Sequence, residues 1–104
     1  MKFEFDENKS RENLEKHGLD FVEAQDLWAR PVLALPARDM GETRELAIGR
    51  YKDSFWTAVV TFRGKDRIRL ISVRRSRKEE IDAYHKTIGG KKDENKPEEP
   101  AGEI

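Results

Sequence analysis

Between Arg63 and Lys78 the chain carries eight basic side chains, Arg63, Lys65, Arg67, Arg69, Arg74, Arg75, Arg77 and Lys78, against one acid, Asp66. A guanidinium group presents its donors as a planar fork that fits the edge of a phosphate or carboxylate, so this residue type at this density points to anion binding. The whole chain holds 21 basic and 21 acidic residues, so the local excess does not show in the net charge. Arg74 and Arg75 also sit just before the predicted last helix, whose free N–H groups attract anions. Composition leaves three readings open: a surface for the backbone of a nucleic acid, one for an acidic protein partner, and a strand edge kept soluble by Lys and Arg.

His17 adds an imidazole, a side chain that could give or take a proton. One residue before Gly18, it also occupies the place of a cation set against the C-terminal end of a helix dipole. His85, beside Lys86, reads as a solvated position. Two histidines with no cluster of ligating residues at metal spacing predict no metal, and seven scattered glycines form no phosphate loop. No cofactor is expected, and nothing resembles a nucleophile elbow. The absence of cysteine removes disulfides, thiolate nucleophiles and Cys-ligated zinc, and it fits a reducing, cytoplasmic compartment. No segment reaches the ~18–20 apolar residues of a membrane span. Met1 to Asp6 lacks the apolar run of a secretory leader, so none is expected.

These side chains must be positioned by a small core, since 40% of the 104 residues are charged and 36% apolar. Residues 89–104 are nearly devoid of apolar side chains and are expected to form a disordered charged tail. Residues 1–88 then make a single domain. Phe3 and Phe5 alternate with charged neighbours as a short strand. Asp6 caps a polar helix to about His17, and Gly18 stops it. Asp20 with Glu23 opens a second helix, whose stripe is Phe21, Ala24, Leu27 and Trp28, and Pro31 ends it. Strands follow at Val32 to Leu35, Arg44 to about Tyr51, Phe55 to Phe62 and Arg67 to Arg74, with a polar loop over Ala37 to Thr43. The last two strands are joined by the hairpin Arg63-Gly64-Lys65-Asp66. Ser76 with Glu79 opens the last helix, on which Ile81, Tyr84 and Ile88 share a face. Strict alternation in the last strand puts Ile68, Leu70, Ser72 and Arg74 on one face and Arg67, Arg69, Ile71 and Val73 on the other. The expected fold is α+β: a short N-terminal strand, two helices, a mostly antiparallel sheet with the helices on one face, and a C-terminal helix.

In order and spacing, Phe5-Asp6, Lys9, Asn13, Lys16-His17-Gly18, Phe21-Val22-Glu23-Ala24, Arg44 and Ile48-Gly49 resemble the BrnT toxins of bacterial type II toxin–antitoxin systems. Arg69, Ile71-Ser72, Arg74-Arg75, Glu80 and Tyr84 continue the resemblance, which runs from Phe3 to Tyr84. Phe5 stands where that family often has Trp, Leu19 where Val is usual, and Val73 where Ala is usual. The resemblance implies a RelE-like fold and an endoribonuclease that blocks translation by cleaving RNA. It further implies a BrnA-like ribbon-helix-helix antitoxin, with promoter DNA met only through the toxin–antitoxin complex.

With RNA as substrate and no metal, the 2′-hydroxyl attacks the adjacent phosphate. Arg44, Arg69, Arg74 and Arg75 are the candidates for stabilising the added charge, and they are expected to converge on one hollow. Lys9 and Lys16 would contact further phosphates, His17 or Glu80 would carry protons, and Tyr84 would donate to or stack on a nucleotide. Other readings stand beside these: an intrahelical pair for Glu80, and core packing with a hydroxyl at the rim for Tyr84. The alternative function is a non-catalytic regulatory module that binds nucleic acid or an acidic partner through its basic face. DNA binding through the last helix is disfavoured by Glu79, Glu80 and Asp82.

Overall fold

The first strand, β1 (Lys2–Glu4), is short because Asp6 already serves as N-cap of α1 (Glu7–His17), accepting from the Lys9 N–H at 3.1 Å. Gly18, at φ 87°, ends α1 in a left-handed conformation, and its N–H donates to the Leu14 carbonyl. The helix has almost no apolar stripe, and Leu14 is 45% exposed. Two buried polar residues hold it instead. Ser10 Oγ accepts from the Phe21 N–H at 2.9 Å. Asn13 Nδ2 donates to the carbonyls of Leu19 and Val73, and Asn13 Oδ1 accepts from the Val73 N–H. The computed structural model describes residues 1–37 and 43–89. The expected loop over 37–43 and tail over 89–104 therefore lie mostly outside the described residues.

Asp20 caps α2 (Phe21–Ala24) as its spacing to Glu23 suggested, accepting from the Glu23 N–H at 2.8 Å. The apolar stripe is split, because the chain tightens after Ala24 into a 3₁₀ segment, Gln25–Ala29. The sheet is completed by β2 (Leu33–Pro36), β3 (Glu45–Tyr51), β4 (Ser54–Arg63) and β5 (Arg67–Arg75), and α3 (Lys78–Thr87) closes the described chain. The strand order is β1-β5-β4-β3-β2, with β1 parallel to β5 and every other pairing antiparallel. Among the described residues, no helix is long and apolar enough to cross a membrane.

The helices do not share one face of the sheet, which corrects the sequence expectation. Phe21, Ala24 and Leu27 pack on Ala47, Trp56, Ala58, Val60, Ile68, Leu70 and Val73. On the opposite face Tyr84 of α3 packs with Leu33 and Ile48, with Phe55, Ala83 and Ile88 against them. Neighbours Ala47 and Ile48 are both buried and belong to different cores. The near-continuous apolar run of β4 carried this signal, since a strand covered on both faces loses its alternation.

The second correction concerns β5. Val60 pairs with Leu70, but its neighbour Val59 pairs with Ser72, so Ile71 is an extra residue in a β-bulge. The bulge shifts the phase of everything after it. Ile68, Leu70 and Val73 therefore all enter the first core, while Arg67, Arg69, Ser72 and Arg74 turn to the α3 side. Arg75, opposite Trp56, returns to the first face.

The start of α3 is also one residue later than expected. Its N-cap is Arg77, and the Glu80 carboxylate reaches back to accept from the Arg77 N–H at 2.8 Å. An arginine side chain has no acceptor to return the bond, so only the Glu80 half of a capping box works in the usual sense. Ser76 instead shares a 2.7 Å hydrogen bond with Thr57 Oγ1.

Candidate nucleic-acid interface

The sheet face that bears α3 is only partly covered. Beyond the helix it opens into a hollow of about 350 Å³ lined by Asp6, Lys9, Arg44, Thr61, Arg63, Arg69, Leu70 and Ile71. Strand pairing explains the convergence. Arg69 lies opposite Thr61, Arg63 opposite Arg67, and Arg44 immediately precedes β3. The first turn of α1 supplies Lys9. Four cations thus face one acid among the described lining residues, and that acid, Asp6, already caps α1.

A smaller hollow of about 170 Å³ adjoins it along the edge of β5, lined by Lys9, Glu12, Asn13, Lys16, His17, Ile71 and Ser72. Lys9 and Ile71 belong to both. Asn13 positions this edge: its side-chain amide satisfies the backbone of Val73 where β1 no longer pairs with β5. His17 and Lys16, in the last turn of α1, are exposed there.

Glu4 lies beside the larger hollow and draws on three arginines. Its carboxylate is 3.3 Å from Arg69, 3.5 Å from Arg67 and 4.0 Å from Arg63. One negative charge shared among three positive ones leaves a surplus that an incoming anion can use.

Arg74 is on the same face but is differently engaged. Its two terminal nitrogens donate to the two oxygens of Glu80 at 2.9 and 2.8 Å. Glu80 Oε1 also accepts from Thr57 Oγ1 and the Arg77 N–H. Burial acts to raise the Glu80 pKa, but the hydrogen bonds from Arg74, Arg77 and Thr57 outweigh it and hold the carboxyl at about 2. At neutral pH Glu80 is an ion with no proton to give. The bond to Glu80 likewise raises the Arg74 pKa.

Arg75 lies on the other face of the sheet, its guanidinium carbon 5.5 Å from the centre of the Trp56 ring. Tyr84 is buried in the second core, edge-on to Phe55 at 5.1 Å, and its hydroxyl donates to the Pro31 carbonyl at 2.8 Å. The structure therefore brings Arg44, Arg69 and Lys9 to one hollow and Lys16 and His17 to its neighbour. It leaves Arg74, Arg75, Glu80 and Tyr84 outside both.

In the sequence Arg63 belongs to the basic excess without a role of its own, and Glu4 and Thr61 carry no signal for the site. The hairpin itself could have found Arg63, since tight pairing sets it across from Arg67.

Over residues 5–80 the chain matches the family described as the ribonuclease toxin, BrnT, of type II toxin–antitoxin systems. Among solved structures it is similar to the crystal structure of the Brucella abortus ribonuclease toxin BrnT. The two are 26% identical with a TM-score of 0.60, and the match covers 75% of this chain and 99% of that one. No curated protein matches the chain.

Proposed function

This chain belongs to the BrnT family of ribonuclease toxins of type II toxin–antitoxin systems, and from that premise we propose that it is an endoribonuclease whose cationic hollow grips the scissile phosphodiester. The observation that carries the proposal is the gathering of Lys9, Arg44, Arg63 and Arg69 around one open hollow beside an imidazole. RNA supplies its own nucleophile. The 2′-oxygen attacks the adjacent phosphorus, a new O–P bond forms, and the bond to the 5′-oxygen of the next nucleotide breaks. The enzyme must offset the extra negative charge on phosphorus, remove the 2′-hydroxyl proton and supply one to the leaving oxygen.

Arg44 and Arg69 offset that charge, assisted by Arg63 and Lys9. A donor already aimed at a developing oxyanion is worth roughly 10²–10³-fold in rate. His17 carries protons at the edge of the smaller hollow, where a well-placed acid or base contributes about 10²–10⁴-fold. Lys16 contacts a neighbouring phosphate. Glu80 serves as a positioning residue: it holds Arg74 at the flank of the site and anchors the start of α3. Translation stops because RNA is cut in the cytoplasm. A BrnA-like ribbon-helix-helix antitoxin neutralises the toxin, and the pair meets promoter DNA through the antitoxin.

The test is purified chain in EDTA with matched RNA and DNA oligonucleotides. Cleavage of RNA alone is expected, because DNA lacks the nucleophile. Cleavage of both, or activity that appears only on adding a divalent metal, overturns the mechanism.

A further inference from the structure

We propose that Arg30 and Arg50 form a second phosphate site, which holds the RNA strand several nucleotides from the scissile bond; the inference rests on the larger hollow being the cleavage site. Arg50 lies opposite Phe55 on the α3-bearing face of the sheet, with its guanidinium carbon 5.2 Å from the Phe55 ring centre. Its Nε is buried and has no hydrogen-bond partner among the described residues. The enclosed Nε is out of reach of a ligand, but the terminal nitrogens of Arg50 are not buried and make no hydrogen bond among the described residues, so they are the donors open to an acceptor from outside the chain.

Arg30 is exposed and directly precedes Pro31, whose carbonyl takes the Tyr84 hydroxyl. Tyr84 links the two arginines: its ring meets Phe55, over which Arg50 lies, and its hydroxyl is bound to Pro31 beside Arg30, and both cations act to lower a Tyr84 pKa that burial raises. The His85 imidazole meets Phe55 edge-on at 5.4 Å. Arg63, Arg67 and Arg69 share Glu4, and Arg74 is held by Glu80. Among the described residues, Arg30 and Arg50 have no such carboxylate.

Position favours RNA over an acidic protein segment. Thr61 lines the hollow and Phe55 lies six residues away on the same strand and the same face. At about 3.3 Å per residue the two sites are roughly 20 Å apart. With one phosphate per about 3.4 Å of stacked strand, roughly six nucleotides span that distance. Footprints of this size are ordinary for single-strand binders, which combine cations with aromatic rings.

The experiment uses the full chain with a trinucleotide and a twelve-nucleotide RNA, reading cleavage and binding separately. Binding is measured with a twelve-mer made uncleavable by a 2′-deoxy sugar at the cut site. Arg30→Gln with Arg50→Gln is expected to weaken twelve-mer binding about tenfold. It should also flatten the dependence of log K on log salt by one to two, leaving trinucleotide cleavage unchanged. Arg30→Gln alone changes only an exposed side chain, so it tests the site without risk to folding; a loss of about threefold is expected.

Unaltered twelve-mer affinity in both variants overturns the proposal. So does an equal loss on the trinucleotide, or a loss confined to antitoxin binding. If the unmodified chain cleaves neither RNA, the reading of the hollow fails while the binding comparison still judges the second site.

Discussion

Glu4 and Glu80 are both acids set among arginines on one face of one sheet, and they do opposite things. Glu80 has a side-chain exposure of 8% and spends both oxygens on a single guanidinium, with Thr57 and a backbone N–H completing its bonds. Its partner is fixed, its charge is cancelled, and the pair knits β5 to α3. Glu4, at 31%, stands at 3.3–4.0 Å from three arginines and satisfies none of them fully. A locked pair gives rigidity and little surface potential. An outnumbered carboxylate keeps arginines assembled while leaving net positive charge for a visiting anion.

The strongest test of this contrast removes the open arginines. Arg44→Ala with Arg69→Ala should lower RNA cleavage by roughly 10²–10³-fold or more, with a melting temperature within a few degrees of the parent. Near-normal turnover would mean that the hollow is not where charge develops.

The locked pair predicts a loss of stability instead. Glu80→Ala leaves the Arg74 guanidinium without its partner and should cost about 2–4 kcal/mol in denaturant melts. The pH dependence follows from the depressed carboxyl. Its contribution is fully present above the unfolded value near 4.5 and is lost as pH falls through about 2. Stability should therefore decline by on the order of 2–3 kcal/mol across that window. Glu80→Gln should lack this acid limb, and an unchanged limb would show that other carboxylates account for it.

The smallest effect belongs to the outnumbered acid. Glu4→Gln should change stability by no more than about 1 kcal/mol, as for other exposed pairs. The same change should tighten RNA binding and steepen its salt dependence by a fraction of a unit up to about one. Weaker binding would mean that Glu4 orients Arg69 more than it shields it.

Much of the frame could be read from the chain because the signals are local. Asp6, Gly18 and Asp20 act within one turn of their own positions, where a carboxylate or a missing Cβ has one obvious use. The apolar content of β4 and β5 located both strands to within one or two residues. What escaped was set by partners distant in sequence. Asn13 reads as one more polar residue on a polar helix, and only the folded chain shows it 60 residues away at the backbone of Val73. Glu79 and Glu80 are adjacent carboxylates. Thr57 and Arg74 select the second, and they come from two other strands. The candidate site was legible in composition but not in geometry, since alternation carried straight through the bulge misassigned every side chain after it.

That extra residue makes the break in the ladder as consequential for Arg74 as the identity of its side chain. Five steps along an unbroken strand from Arg69 would leave the two guanidinium groups back to back; one unpaired residue at Ile71 puts them on the same side. Swapping Ile71 for another side chain keeps the bulge, and deleting it would mend the hydrogen-bond ladder with Ser72, Val73 and Arg74 still opposite Val59, Ala58 and Thr57; pairing Ile71 itself with Val59 is what would turn Arg74 toward the core that Val73 now fills. Divergence in this segment can therefore change or drop residue 71 without turning Arg74, but it cannot draw that residue into the ladder.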